Sequence, residues 1–371
     1  MRHHRLPMSN PGGIHKSPAK CSADPSGSPV TEKAPKFVRA RSFAASEKQS
    51  QSAYFRERFP DRIGYRGYDF WLTPGGERLN LAPMIRTKAA AYFSERRITW
   101  HLAADHALSS QACCLNFLMP LAERPEVLSR LVSLALDIPQ PHMLPVEAGP
   151  EGRPWYVAFE WIDGDYLNES RSVAKGSGTG GRTRGANCTS ADACLAFQHQ
   201  GRRETLLIEW KYTERYGAPL DPTGHDVRTM RYGALAFAPQ GPIRSDLGLS
   251  LDDFFYEPFY QLLRQQMLAF QMQKAREEGA ERVRVLHIAP SANLALRKVT
   301  SPALRPFGKD AFAVFSGLLQ TPSDFVSCST EALFRPLIDE LGPDDPWASY
   351  LDQRYRFLTA DSEMTSAKLH P

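Results

Sequence analysis

The stretch that decides the fold is SADACLAFQHQGRRETLLIEWKYTE, residues 190–214. It contains two short apolar runs, SADACLAFQ and TLLIEWKYTE, and the second is rich in residues that favour β-strands. The polar segment HQGRRE lies between them and is short enough to turn the chain back on itself. The pattern therefore predicts two neighbouring antiparallel strands.

Charged side chains within these two strands form the most informative pattern of the chain. Side chains alternate between the two faces of a strand, so Glu209 and Lys211 share one face while Trp210 points the other way. Asp192 lies at the start of the preceding run. An antiparallel turn would bring two carboxylates and one ammonium group to one place. Because charged residues rarely occur in apolar strands without a partner or a function, we expect a functional site there.

The order of Asp, apolar strand and Glu-x-Lys resembles the signature of the PD-(D/E)XK nuclease superfamily of restriction-endonuclease-like proteins. The matching residues are Asp192, Glu209 and Lys211, and Ala191 stands where the family usually has proline. Two further segments are similar to flanking helices of an uncharacterised bacterial group in that superfamily: SSQACCLNFLMPL (109–121) and YQLLRQQMLAFQ (260–271). The resemblance covers roughly the middle two-thirds of the chain.

The resemblance implies both a fold and an activity. The expected fold is α/β, with a restriction-endonuclease-like core whose mixed central sheet is flanked by helices in the order αβββαβ. The expected activity is that of an endonuclease that hydrolyses phosphodiester bonds of DNA, with a role in restriction or defence by analogy with the family.

Carboxylates are hard oxygen ligands that suit Mg²⁺, for which Mn²⁺ can substitute. In this interpretation Asp192 and Glu209 hold the metal, and Lys211 orients the attacking water and offsets phosphate charge. Glu160, in the run WYVAFEWI, is a further metal ligand if that run forms the neighbouring strand.

Three alternatives stay open for the same residues. Glu209 and Lys211 would form a weak surface ion pair if their strand were exposed. The fold would also suit a nucleic-acid-binding module without catalysis, which would not bind a divalent metal. A protein-interaction module, in which the Glu-x-Lys pair is structural, is the third.

The charge of the chain is unevenly distributed. The net charge is +4, but residues 1–44 contain eight Lys/Arg and two Asp/Glu, so this segment has +6 and the rest has −2. Contact with DNA must therefore be local. The candidates are the pairs Arg182/Arg184, Arg202/Arg203 and Arg228/Arg231, together with Arg264, although a solvated surface would explain each of them equally well.

Composition divides the chain into three parts. Residues 1–52 are predicted to be a disordered basic tail, 53–343 a single nuclease-like domain, and 344–371 a short helix followed by a polar tail. Within the domain, residues 171–187 are rich in Gly, Ser and Arg and predict a mobile loop. This loop contains GSGTGGRT (176–183), which approximates a phosphate-binding P-loop, but a poor strand before it and a poor helix after it argue against nucleotide binding.

Periodicity predicts the remaining elements. Helices are expected over 82–97, 100–122 and 125–136, and another contains the stripe from Phe259 to Phe270. The segment RVRVLHIAP (282–290) predicts a strand, on which His287 is expected to be a packed histidine rather than a general base.

The cysteines and the hydropathy of the chain indicate the cellular compartment of the protein. The six cysteines include no C-x-x-C pair, so no zinc site is expected, and they suit a reducing cytoplasm. No long apolar run predicts a membrane span or a secretory signal, and no feature indicates an oligomeric state.

Overall fold

The computed structural model describes residues 41–62, 64–162, 164–169, 182–185, 188–217 and 219–359. The residues from Arg41 onward belong to one compact unit. Its α-helices are, in chain order, α1 (Phe43–Arg58), α2 (Arg86–Glu95), α3 (Ser110–Leu118), α4 (Pro125–Leu136), α5 (His225–Ala236), α6 (Phe259–Ala275), α7 (Ala311–Leu318), α8 (Thr330–Leu341) and α9 (Pro346–Arg354).

A six-stranded mixed sheet lies between the helices. Its strands are β1 (His142–Leu144), β4 (Val157–Trp161), β5 (Ala191–His199), β6 (Arg202–Trp210), β7 (Arg282–Ala289) and β8 (Phe325–Ser329). The order is β1-β5-β6-β7-β8, and β4 also pairs with β5. Pairing is antiparallel from β1 and β4 to β6 and parallel from β6 to β8. Two short strands, β2 (Glu147–Ala148) and β3 (Pro154–Trp155), form a separate hairpin. The predicted α/β class with a mixed central sheet is confirmed.

The hairpin of β5 and β6 has the shortest possible connection. His199 pairs with Arg202, so only Gln200 and Gly201 form the loop. Both have positive φ, 50° and 78°, which is the backbone of a type I′ turn and matches the twist of the flanking strands. Glycine adopts this conformation without strain, and this turn fixes the register of the two strands.

Apolar side chains cover both faces of the mixed sheet, because helices pack against each face. On one face Trp210 packs between the rings of Phe117 and Phe334, at centroid distances of 5.1 and 5.7 Å. That face packs against helices α2, α3, α4, α8 and α9. The other face, which includes Cys194 and Leu207, packs against α5, α6 and α7. None of the described helices is both long and apolar enough to cross a lipid bilayer.

One predicted helix is shorter than expected. The helix expected over 100–122 begins only at Ser110, whereas α2 and α4 lie within or match their predictions. The side chain of Ser109 accepts a hydrogen bond from the backbone N–H of Ala112 (3.3 Å) and caps the helix there. Residues 101–109 form turns instead, so the apolar spacing before Ser109 was misleading.

The predicted boundaries of the domain need correction at both ends. Residues 43–52, placed in the disordered tail, belong to α1, and Trp347 and Leu351 of α9 pack in the same core as the sheet. Residues 1–40 and 360–371 lie outside the described residues, as do 171–181 and 186–187 of the predicted loop and most of its P-loop-like segment. Residues 182–185 of that loop are described and packed against the domain.

Polar contacts rather than an apolar stripe attach α1. Glu47 is 3% exposed and accepts a short hydrogen bond from the hydroxyl of Tyr212. The amide nitrogen of the Gln51 side chain donates to the Tyr212 hydroxyl and to the carbonyl of Arg354, both at 3.2 Å. The guanidinium of Arg354 donates back to the Gln51 side chain (3.1 Å). A hydrophobic pattern could not have predicted this helix, because Phe55 is the only apolar residue among its three buried positions.

The buried carboxyl of Glu47 predicts a pH dependence of stability. Burial raises its pKa from 4.5 to about 7, so its contribution to stability is fully present below 4.5 and is lost as the pH rises through 7. Between these pH values the free energy of unfolding of the unmodified protein should fall by roughly 2–3 kcal/mol because of this group. Glu47→Gln, a neutral isostere, should not show this decrease. Urea unfolding at both ends of the interval measures it.

The matched control is Glu57→Gln, on the exposed side of the same helix. This variant is expected to follow the pH profile of the unmodified protein. A Glu47→Gln profile that coincides with that of Glu57→Gln would contradict the assignment.

Candidate active site

The three residues of the predicted motif lie at one end of the β5–β6 pair. Asp192 is the second residue of β5, Glu209 is the last but one of β6, and Lys211 directly follows β6. Ala193 pairs with Ile208, so the register places Asp192 opposite Glu209 on the face that packs against α6. The backbone N–H of Lys211 donates to the carbonyl of Ile288 on β7 (2.8 Å), which holds the residue in line with the strand.

Glu209 and Lys211 form a buried ion pair. The Lys211 Nζ contacts Oε1 of Glu209, and the two residues are 8% and 2% exposed respectively. The side-chain amide nitrogen of Gln265, on α6, donates to Oε2 of Glu209 (3.0 Å) and to the carbonyl of Ser190 (2.7 Å). The weak surface pair considered from the sequence is therefore wrong, because this pair lies inside the protein.

Asp192 is half-buried next to this pair. The backbone N–H of Trp210 donates to Oδ2 of Asp192 at 2.6 Å, which ties the carboxylate to the end of β6. The structure thus brings Asp192, Glu209 and Lys211 together, as their spacing predicted.

Glu160 joins the same cluster from the neighbouring strand. It lies on β4, antiparallel to β5, at the position that faces Asp192 between the pairs Phe159–Ala193 and Trp161–Ala191. Its backbone has a φ of 48°, in the left-handed region that residues with a side chain rarely adopt. Such strained residues often occur at functional sites.

Three polar side chains that sequence analysis missed surround the Glu160 carboxylate. The side-chain amide of Gln111 donates to Oε1 (2.6 Å), and the hydroxyl of Ser190 donates to Oε2 (3.4 Å). The imidazole Nε2 of His101 lies 3.3 Å from Oε1. Gln111 and Glu160 are 49 residues apart, and no local spacing connects them.

The electrostatics of the cluster are dominated by burial and by charge repulsion. Burial first, and repulsion from the other carboxylates, raise the pKa values of Asp192, Glu209 and Glu160 to about 7 despite the opposing charge of Lys211. Burial alone would lower the pKa of Lys211, but the neighbouring carboxylates, Glu209 first, raise it well above its usual value. The ammonium group therefore stays charged. Its single positive charge does not neutralise the three carboxyl groups around it.

These residues suit a hard divalent cation. Carboxylate oxygens are the ligands that Mg²⁺ prefers, and one or two of them suffice when water and substrate phosphate complete the shell. The side-chain oxygen of Gln265 is buried here and accepts no hydrogen bond from the described residues. Over the described ranges, no group of three or more His, Cys, Asp or Glu side chains is arranged to hold a metal ion. The fit therefore rests on the carboxylates of Asp192 and Glu209.

Two of the arginines predicted to contact nucleic acid, Arg182 and Arg184, have partners within the protein. Arg184 has a side chain only 12% exposed, pairs with Glu147 (3.1 Å) and donates to the carbonyl of Phe159. Arg182 lies 3.6 Å from Asp165 and is similarly covered. We correct the prediction for both, because their guanidinium groups serve contacts within the protein. Arg264, on α6, does lie beside the carboxylate cluster.

His287 has the packed role that its strand predicted. It is buried, its ring stacks on Phe312 at a centroid distance of 3.9 Å, and Nδ1 lies 3.0 Å from the hydroxyl of Ser327. Burial lowers its pKa well below the usual value, so the ring is neutral.

Fold and site together define a mixed α/β protein with buried carboxylates and a lysine at the end of its central strands. Residues 43–356 match the family described as Restriction Endonuclease associating with ARP. The chain belongs to this restriction-endonuclease-like family, which suggests a nuclease-like role and DNA as substrate. Neither a curated protein nor a solved structure matches the chain.

The left-handed backbone of Glu160 predicts an unusual order of stability among its variants. Glycine adopts positive φ at no steric cost, whereas alanine does so at a cost of about 1 kcal/mol. Both remove the carboxylate, so we expect Glu160→Gly to be about 1 kcal/mol more stable than Glu160→Ala in urea unfolding.

Ala158 on the same strand provides the control. It lies outside the residues with positive φ, so Ala158→Gly should lower stability by roughly 0.5–1 kcal/mol or more. If Glu160→Ala proves the more stable of the two, the backbone is not strained there.

Proposed function

We propose that the chain is a metal-dependent endonuclease of the PD-(D/E)XK type that hydrolyses phosphodiester bonds of DNA. The observation that carries the proposal is the buried contact of Lys211 with Glu209, opposite Asp192 at the end of two paired strands. Membership of a restriction-endonuclease-like family supports it. In this proposal α3, β4, β5, β6, α6 and β7 form the αβββαβ core.

Asp192 and Glu209 would hold Mg²⁺ or, in its place, Mn²⁺, with Glu160 as a further acidic group beside them. Mg²⁺ at this place supplies a lowered pKa for a water molecule and positive charge near the phosphate. Gln265 orients Glu209 through its hydrogen bond to Oε2. Supporting hydrogen bonds of this kind fix the geometry of a ligand and tune its basicity.

Lys211 has the catalytic part in this proposal. Its ammonium group is kept charged by the surrounding carboxylates and is held beside Glu209. From there it can donate hydrogen bonds to the attacking water and to a phosphate oxygen, and its charge offsets the negative charge that grows in the transition state. Because this charge grows as the transition state forms, Lys211 would stabilise the transition state more than the bound substrate.

The proposal includes a cytoplasmic location and a biological role. The five described cysteines are free thiols, as expected of a protein of the reducing cytoplasm. A role in restriction or defence is supported by the description of the family.

Removing the ammonium group of Lys211 should slow cleavage strongly. We expect Lys211→Met to slow the cleavage of supercoiled plasmid in Mg²⁺ or Mn²⁺ by about 10²–10³-fold, because one well-placed electrostatic group is lost. The variant also leaves the buried carboxyl of Glu209 without its partner, so circular dichroism and urea unfolding must show that it folds. Lys211→Arg retains the charge and is expected to fold, but to cleave poorly because the guanidinium differs in shape.

Lys274→Ala, at an exposed position of α6, is the control for the loss of a lysine and should cleave normally. Cleavage that survives both Lys211→Met and chelation by EDTA would place the chemistry elsewhere. Cleavage that is absent throughout, with no binding of divalent metal, would favour the non-catalytic alternative.

Metal affinity gives a test that does not depend on activity. Asp192→Asn and Glu209→Gln each remove a charged oxygen ligand, so we expect both to weaken the binding of Mn²⁺ in calorimetry at least about tenfold. Gln265→Ala should weaken it by about 10–100-fold, because it removes the group that orients Glu209. Asp344→Asn, at an exposed position, is the matched control. Equal affinities in all four variants would refute the proposed ligands.

A further inference from the structure

An arginine-lined pocket lies next to the carboxylate cluster. Its volume is about 370 Å³, and it lies between α5, α6 and the segment that leads into β5. We call it the arginine pocket, and its lining residues are Glu169, Cys188, Gly224, Val227, Arg228, Arg231, Tyr232, Tyr260 and Arg264. Three guanidinium groups and one carboxylate therefore line it, which favours an anionic ligand.

Tyr260 holds two of the arginines in position. The guanidinium carbon of Arg228 lies 5.5 Å from the centroid of its ring, and that of Arg264 lies 5.4 Å from it. Arg228 also donates to the backbone carbonyl of Asp221 (2.8 Å). Contact with the ring thus restricts both guanidinium groups at the pocket, where each can donate charge-assisted hydrogen bonds to an anion.

Glu169 is the carboxylate among the lining residues of the pocket. It lies 3.6 Å from the guanidinium of Arg264 and accepts hydrogen bonds from Tyr232 (2.8 Å) and Thr189 (2.7 Å). These donors hold the carboxylate against the wall of the pocket. The guanidinium Nε of Arg264 also donates to the Thr189 hydroxyl (2.9 Å), so its orientation is fixed before any ligand binds.

The pocket and the carboxylate cluster share two elements. Arg264 and Gln265 are consecutive on α6, and the first lines the pocket while the second donates to Glu209. Thr189 and Ser190 are consecutive before β5, and they contact Arg264 and Gln265 respectively. A phosphate bound at Glu209 would therefore lie near Arg264, one residue from Gln265 on α6.

We propose that the arginine pocket binds a backbone phosphate of the DNA strand, adjacent to the bond that the carboxylate–lysine site cleaves. This rests on the proposed function for the nature of the substrate and for the position of the cleaved bond. Phosphates recur about every 3.4 Å of helix axis along a strand, so a neighbouring phosphate is always available, whatever the base sequence. Such a contact positions the strand and reads no bases.

Gly224 offers a way to move Arg228 without changing the charge of the protein. A Cβ atom at this position would lie 2.9 Å from the guanidinium carbon of Arg228, too close to be tolerated, so the flexible side chain must shift. Gly224 has a negative φ of −105°, which alanine adopts readily. Gly224→Ala should therefore displace the guanidinium and leave the backbone intact.

The test is the affinity for a fluorescein-labelled DNA duplex of mixed sequence, measured by anisotropy in Ca²⁺ over a range of NaCl concentrations. We expect Arg228→Gln to weaken binding roughly 5–10-fold and to reduce the slope of log affinity against log salt by about 1, the effect of one lost phosphate contact. Gly224→Ala should weaken binding as well, with no change in net charge. Arg130→Gln makes the same charge change on α4, on the other face of the sheet, and should have no effect.

Equal affinity and equal salt slope for Arg228→Gln and Arg130→Gln would overturn the proposal. A second comparison uses duplexes with 5′-phosphate and with 5′-hydroxyl ends. The effect of Arg228→Gln should be the same for both, and an effect confined to 5′-phosphorylated ends would overturn the assignment to a backbone phosphate.

Failure of this inference and failure of the proposed function are distinguishable. Plasmid cleavage that depends on Lys211, together with an unchanged affinity in Arg228→Gln, would refute the arginine pocket alone. Absence of cleavage and of Mn²⁺ binding, with DNA affinity still dependent on Arg228, would support the pocket and refute only the catalytic proposal.

Discussion

The antiparallel register of β5 with β6 is the constraint on which the site depends. Because Ala193 pairs with Ile208, Asp192 faces Glu209 on the α6 side of the sheet. A slip of one residue would move Asp192 to the opposite face and separate the carboxylates. The type I′ turn at Gln200 and Gly201 prevents such a slip, because its two residues leave no slack in the connection.

The same register gathers more negative charge than the protein neutralises. Burial and mutual repulsion raise the pKa values of three carboxyl groups to about 7, and Lys211 makes an ion pair with only one of them. Gln111 and Gln265 donate hydrogen bonds to two of the carboxylates, but an amide adds no net charge. Apolar residues of similar size would often be equally or more stable in such a place. The carboxylate cluster is therefore best explained as a binding site for a cation. Selection for stability alone would not retain such a cluster.

Local periodicity explains what could be predicted from the sequence. The strands over 191–199 and 282–289 and the helices over 125–136 and 259–275 have strong patterns, and alternation along β6 correctly placed Glu209 and Lys211 together. Helix α1 has no such pattern. Two of its three buried residues, Glu47 and Gln51, are polar, and their partners Tyr212 and Arg354 lie far along the chain. Composition alone therefore assigned part of α1 to a disordered tail.

For the same reason, the sequence could not predict which arginines pair within the protein and which line a pocket. Arg184 pairs with a carboxylate 37 residues away and serves the interior, whereas Arg228 lies over the ring of Tyr260 and lines a pocket. Both looked alike in sequence, because a guanidinium becomes structural or available according to partners that only the fold supplies. The outcome matters for function, since the chain beyond its first 44 residues has a net charge of −2. A strand of DNA would meet an acidic protein there, and attraction must come from the few arginines that the fold leaves beside the carboxylates.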